Sequence, residues 1–137
     1  MIAYLDSSVL LRVVLGQPGA LPQWSEIERG VASRLVEVEC LRTLDRLRLA
    51  AGLDDREIAD RREAVYRLLD SLELIELTRP VLARASQPMP VTLGTLDAIH
   101  LASALMWGEL EGSPLAMATH DQLLATAARA SGLRVIG

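Results

Sequence analysis

The sequence predicts an α/β protein, a parallel sheet with helices on both faces. Short apolar runs alternate with longer helical patterns from one end of the chain to the other. One helical pattern, from Thr95 through Trp107, is apolar almost all round and belongs in the interior. Acidic residues stand where apolar elements end or helices open. Asp6 ends Met-Ile-Ala-Tyr-Leu, Asp97 opens the apolar helix, and Asp121 follows Pro-Leu-Ala-Met-Ala-Thr-His. In a parallel sheet the carboxyl ends of the strands share one edge, and ligands bind there.

The elements follow in order. Residues 2–5 read as a short buried strand. A helix from about Ser8 to Leu15 stops at Gly16-Gln-Pro-Gly. Pro22 suits the first turn of a second helix, which Gly30 would end. Residues 31–35 read as a short strand or extended piece, and Val36 to Ala51 as a helix with Gly52 as terminator. Asp54-Asp-Arg-Glu57 has the form of a capping box and opens a helix to about Asp70. Ile58, Val65, Leu68, Leu69 and Leu72 recur at helical spacing as its core face. Leu74 to Leu77 reads as a strand, 80–86 as a short helix, and Gln87 to Pro90 as a break. Beyond the apolar helix, Leu115 to Ala118 and Leu133 to Ile136 read as strands around a helix from Leu123 to Ala130. With no repeat, linker or low-complexity segment, residues 1–137 are expected to form a single domain.

Composition narrows the function classes. Half of the 137 residues are hydrophobic, enough for a sizeable core. No run of about 18 uncharged apolar residues is present to span a membrane. The N-terminus lacks the basic region of a signal peptide. Cys40 is the single cysteine, which excludes an internal disulfide and a cysteine-rich zinc site. A small buried residue is its ordinary reading, and a cytoplasmic protein is expected. The net charge of −4 argues mildly against a broad basic grip on nucleic acid. Setting four metal-binding acids aside would leave 14 acidic residues against 14 basic ones. Every basic residue is Arg, the better bidentate phosphate ligand. With no Phe, two Trp and two Tyr, an aromatic platform for single strands is not expected.

Asp6, Glu39, Asp97 and Asp121 are the candidate chemistry. Like charges about 4 Å apart repel by roughly 4 kcal/mol at an effective dielectric near 20, so convergent carboxylates need a cation. An oxygen-only acidic set suits Mg²⁺ or Mn²⁺, and such a site suits phosphodiester cleavage. Each acid also has an ordinary explanation. Asp6 fits an N-cap, or a nucleophile or phosphoacceptor. Glu39 fits an i,i+3 pair with Arg42, worth about 0.2–0.5 kcal/mol. Asp97 fits a helix dipole partner. Thr119 as N-cap with Gln122 would make a capping box around Asp121. His100 and His120 offer an acid–base pair for metal-free cleavage, although His100, on the apolar helix, suits a core or supporting role better.

Together the segments Tyr4-Leu-Asp6-Ser-Ser, Val38-Glu39-Cys-Leu-Arg42, Leu96-Asp97-Ala-Ile-His100-Leu-Ala and Thr119-His-Asp121 resemble the PIN domain. More narrowly, the chain resembles toxin ribonucleases of the VapC type over essentially its whole length. One departure is His120, where an aromatic residue is common. The resemblance implies a three-layer α/β/α sandwich with four or five parallel strands and a Mg²⁺- or Mn²⁺-dependent endoribonuclease. Asp6 and Asp97 would be the central ligands and Glu39 and Asp121 would complete the site. Thr119 and Ser7 would orient ligands or water, with Arg42 and Arg46 as candidates to touch RNA phosphates. An antitoxin partner and a homodimer are implied as well. Leu10, Leu11, Val14, Leu21, Trp24 and Ile27 form more apolar surface than two short helices need, and some are expected to face a partner. Two other readings compete. A non-catalytic module of the same fold predicts a missing acid, and none is missing. An aspartyl-phosphate enzyme using Asp6 predicts a second Asp two residues on or a late Lys, and Ser8 stands at the first position while the chain has no Lys.

Overall fold

The computed structural model describes all residues, 1–137. Five strands form one parallel sheet: β1 (Ile2–Leu5), β2 (Arg29–Ser33), β3 (Glu73–Ile75), β4 (Ala116–Ala118) and β5 (Arg134–Ile136), in the order β3-β2-β1-β4-β5. Six helices cover it: α1 (Ser7–Leu15), α2 (Leu35–Ala51), α3 (Asp55–Asp70), α4 (Arg79–Ala85), α5 (Thr95–Glu111) and α6 (Gln122–Ala130). This is the expected three-layer arrangement, and no helix is long and apolar enough to cross a membrane.

Alternation along the strands separates the two cores. Ala3, Leu5, Ala32, Ala116 and Ala118 face α1, α2 and α3, where Val9, Leu10, Val14, Val36, Cys40, Leu44, Val65 and Leu69 are buried. Tyr4, Val31 and Met117 face the other way, against Leu101, Ala104, Trp107, Leu124, Ala127 and Ala128 of α5 and α6. Both faces are covered, so the strands are short apolar runs rather than amphipathic ones.

The chain leaves β1 toward β2 and β3 on one side, then returns to place β4 and β5 on the other. The direction of winding therefore reverses between β1 and β4, and the crevice beyond their carboxyl ends is the favoured ligand position of an open parallel sheet. Leu5 pairs with Ala118, so Asp6 and Thr119 are the next residues on each side of that crevice.

Three expectations change. The segment after Pro22 forms only a 3-10 turn over Trp24–Glu26, and Gly30 lies inside β2 opposite Ala3 rather than ending a helix. A Cβ on Gly30 would come within 2.6 Å of Leu72 Cδ2 and 3.3 Å of Leu5 Cδ1, so close packing accounts for the glycine. The strand expected to reach Leu77 ends at Ile75. Of the apolar surface from which some residues were expected to face a partner, Leu10, Val14 and Leu21 belong to the core, whereas Leu11, Trp24 and Ile27 pack against it only partly buried.

Candidate active site

Each of the four acids comes from a different element at the carboxyl edge of the sheet. Asp6 follows β1 and caps α1, accepting from Val9 N–H at 3.3 Å. Asp97 lies in the first turn of α5, and Asp121 caps α6, accepting from Leu124 N–H at 2.8 Å. Three helix N-termini thus meet three carboxylates, and their partial positive charges favour the ionised acids there. Glu39 comes from α2, whose core residues lie on the opposite face of the sheet from those of α5.

Asp6 is only 4% exposed, and its carboxylate is held by three donors. Ser8 Oγ donates to Oδ1 and Thr119 Oγ1 to Oδ2, each at 2.6 Å, in addition to the Val9 amide. Thr119 in turn accepts from Asp121 N–H at 3.0 Å, and Ser8 accepts from His120 N–H at 2.9 Å. The two loops after β1 and β4 are thereby laced together. Thr119 is not the N-cap of α6; Asp121 takes that place, which frees the threonine hydroxyl for Asp6.

Glu39 does not pair with Arg42, which instead reaches Asp45 at 2.9 Å on the exposed side of α2. Glu39 Oε1 lies 2.6 Å from His100 Nε2, and Ser7 Oγ donates to Oε2 at 3.2 Å. His100 is buried, and its other nitrogen, Nδ1, lies 2.8 Å from Tyr4 Oη. With both ring nitrogens engaged, His100 has none free for general acid–base work on a substrate, so the two-histidine reading loses one member. His120 is pushed below the usual histidine range, first by burial and then by Arg12, with Asp6 opposing.

Asp97 is drawn into none of these hydrogen bonds. It is pushed above the usual aspartate range by burial first and by Asp121 next, with Asp6 and Glu39 adding and His100 opposing. Asp97 therefore lies within electrostatic reach of the other three acids. No three of them, with or without a histidine, stand close enough to share a metal ion as placed. The set is nevertheless chemically suited to a hard dication. All donors are carboxylate oxygens, Asp97 has both oxygens uncommitted, and Asp121 uses only Oδ1 for its cap.

Ser8 and Tyr4 were not singled out by the sequence. The signal for Ser8 is a second hydroxyl following a strand-end aspartate. For Tyr4 it is a lone polar atom in a wholly apolar strand. Burial pushes the Tyr4 phenol far above its usual range, so it remains a hydroxyl. Cys40 is buried too, and its thiol is pushed up to about 12, mainly by burial and then by Glu39 and Asp6. It is a packed side chain, as expected.

Thr119→Val tests the lacing. It keeps the shape, removes the donor to Asp6 Oδ2 and leaves the Asp121 amide without its acceptor. The expected loss is about 1–3 kcal/mol in urea unfolding, with Thr119→Ser retaining most of the stability. A change below about 0.5 kcal/mol for Thr119→Val would show that water replaces the hydroxyl.

Comparison with known proteins agrees with the fold. A family profile described as PIN domain matches residues 3–130. Ribonuclease VapC46 of Mycobacterium tuberculosis (strain ATCC 25618 / H37Rv) is 35% identical over 136 residues, covering 97% of this chain and 95% of that protein. Ribonuclease VapC47 of Mycobacterium tuberculosis (strain CDC 1551 / Oshkosh) is 30% identical over 131 residues, covering 94% and 91%. The fold also matches a chain of the crystal structure of VapBC2 from Rickettsia felis bound to a DNA fragment from their promoter. That match has a TM-score of 0.68 at 11% identity and covers 98% of this chain and 97% of the other. The chain belongs to the PIN-domain family, in its VapC branch.

Proposed function

We propose that the protein is a Mg²⁺- or Mn²⁺-dependent endoribonuclease, the toxin of a two-component toxin–antitoxin module. One observation supports the metal requirement: Asp6, Asp97 and Asp121 stand at three helix N-termini along the carboxyl edge of the sheet, and Asp97 lies within electrostatic reach of Asp121, Asp6 and Glu39. The ribonuclease relatives support RNA as the substrate. Bound by these carboxylates, a divalent ion would supply Lewis-acid chemistry, activating water and offsetting charge on the phosphate. Asp6 and Asp97 are proposed as the central ligands, with Glu39 and Asp121 completing the set. Ser8 and Thr119 hold Asp6 in one orientation, and Ser7 steadies Glu39.

Beside Glu39 a groove of about 360 Å³ opens between α2 and the start of α5, lined in part by Arg42, Thr43, Arg46, Val38 and Leu96. It is suited to the RNA strand flanking the scissile phosphate, with Arg42 and Arg46 on phosphate oxygens and the two apolar side chains against a base. Engaging a phosphate would take Arg42 from its surface pair with Asp45, which costs little. The VapBC relatives support an antitoxin as the protein partner, and a homodimer is part of the same reading.

The test is cleavage of a mixed RNA pool by purified protein. Activity is expected with Mg²⁺ or Mn²⁺ and none with EDTA, and millimolar Mg²⁺ should raise the melting temperature because it binds only the folded site. Cleavage that persists in EDTA would overturn the metal requirement. RNA binding without cleavage under any metal would favour the non-catalytic module.

A further inference from the structure

We propose that Tyr4 and His100 form a strut that positions Glu39 and fixes the spacing of the three elements bearing Asp6, Asp97 and Glu39. The proposal rests on the metal-dependent reading above. Tyr4 lies two residues before Asp6 on β1, and His100 lies one turn after Asp97 on α5. Glu39 belongs to α2, whose core contacts are on the other face of the sheet. The contacts Tyr4 Oη to His100 Nδ1, 2.8 Å, and His100 Nε2 to Glu39 Oε1, 2.6 Å, join all three across separations of 96 and 61 residues.

The donor order follows from the inventory of hydrogen-bonding groups. An ionised Glu39 only accepts, so His100 Nε2 carries the proton facing it. In the neutral ring Nδ1 is then an acceptor, and the Tyr4 hydroxyl, with its ring edge-on to the imidazole at a centroid distance of 5.9 Å, supplies the donor. The Ser103 hydroxyl beside Tyr4 gives its own proton to Ile99 O at 2.7 Å, so it does not compete as the donor to the ring. Tyr4 and His100 are 0% and 1% exposed. Packing alone would favour apolar residues at both places, since a buried polar group is costly unless bonded. The strut leaves Glu39 Oε2, which Ser7 contacts, as the oxygen with capacity to spare. Tyr4 and His100 thus act as positioning residues and touch no substrate.

The experiment is Mn²⁺ affinity, read from the free-ion electron paramagnetic resonance signal at 25 °C with each variant shown folded by circular dichroism. Tyr4→Phe keeps the ring and is expected to weaken Mn²⁺ binding about tenfold, within the range of about 10- to 100-fold for an outer partner of a metal ligand. His100→Leu should weaken it more. His100→Gln, whose amide keeps a donor near Glu39, should recover most of the loss. Adding Tyr4→Phe to His100→Leu should change nothing further, because the hydroxyl acts only through the ring. Mn²⁺ affinity of Tyr4→Phe and His100→Leu within about twofold of the parent, while Asp97→Asn binds none, would overturn the strut and leave the metal site standing. Full Mn²⁺ affinity in Asp97→Asn would remove the metal site, and the strut with it.

Discussion

Asp97→Asn should abolish RNA cleavage and make the metal-free protein more stable. The side chain keeps its shape, so the packing of α5 around it survives. Replacing an anionic oxygen with an amide weakens both metal binding and stabilisation of the transition state, and a loss of at least about 10²–10³-fold in turnover is expected. The stability gain has a separate cause. Asp97 is held above the usual aspartate value of 3.8 by burial and by Asp121, Asp6 and Glu39. Between that value and the raised one in the folded state, the native protein binds more protons at this site than the unfolded chain, so stability falls as pH rises. The asparagine variant lacks this loss. In EDTA its melting temperature should exceed that of the parent at neutral pH, and the difference should close as pH drops toward 3.8. Mg²⁺ should raise the parent's melting temperature and leave the variant's nearly unchanged. Asp45→Asn is the matched control. Its carboxylate pairs with Arg42 on the surface, where an ion pair contributes about 0.2–1 kcal/mol, and cleavage should continue. Cleavage retained by Asp97→Asn but lost by Asp45→Asn would relocate the site.

Leu101→Ala should produce the largest loss of stability, about 2–5 kcal/mol. Leu101 is completely buried one turn beyond Asp97, in the cluster formed by Tyr4, Val31, Met117 and Leu124. Truncation removes its transfer free energy and leaves a cavity that a helix held between the sheet, α4 and α6 cannot readily collapse. At about 2–8 °C per kcal/mol for domains near this size, the melting temperature should fall by at least about 4 °C. Equilibrium urea unfolding measures the energy directly. Specific activity per folded molecule should stay within about tenfold of the parent at low temperature, unlike Asp97→Asn, because no side chain of the candidate site is removed. A loss under about 1 kcal/mol would mean that α5 is not the packed centre of this face.

The sequence by itself determined the layers and the acid set. Alternation of short apolar runs with helical periods specifies a parallel sheet because both patterns are local and repeat within a few residues. The all-apolar helix from Thr95 announced its burial, and Asp97 stood out because charge on such a helix needs a reason. Tertiary structure decided the pairings. Locally, Arg42 was the natural partner of Glu39. Yet a surface i,i+3 pair contributes only a few tenths of a kcal/mol, and buried His100, 61 residues away, takes the carboxylate instead. Thr119 fitted an N-cap by spacing, but a 2.6 Å contact with Asp6 across 113 residues claims its hydroxyl, leaving Asp121 to cap. Gly30 read as a helix terminator because a glycine permits many conformations. Its neighbours Leu72 and Leu5 show that it is there for close approach within β2. Leu10, Val14 and Leu21 read as surplus surface until α1 was seen packed against the sheet, α2 and α3. In each case the deciding contact lies far along the chain, where local periodicity carries no information and burial sets which partner wins.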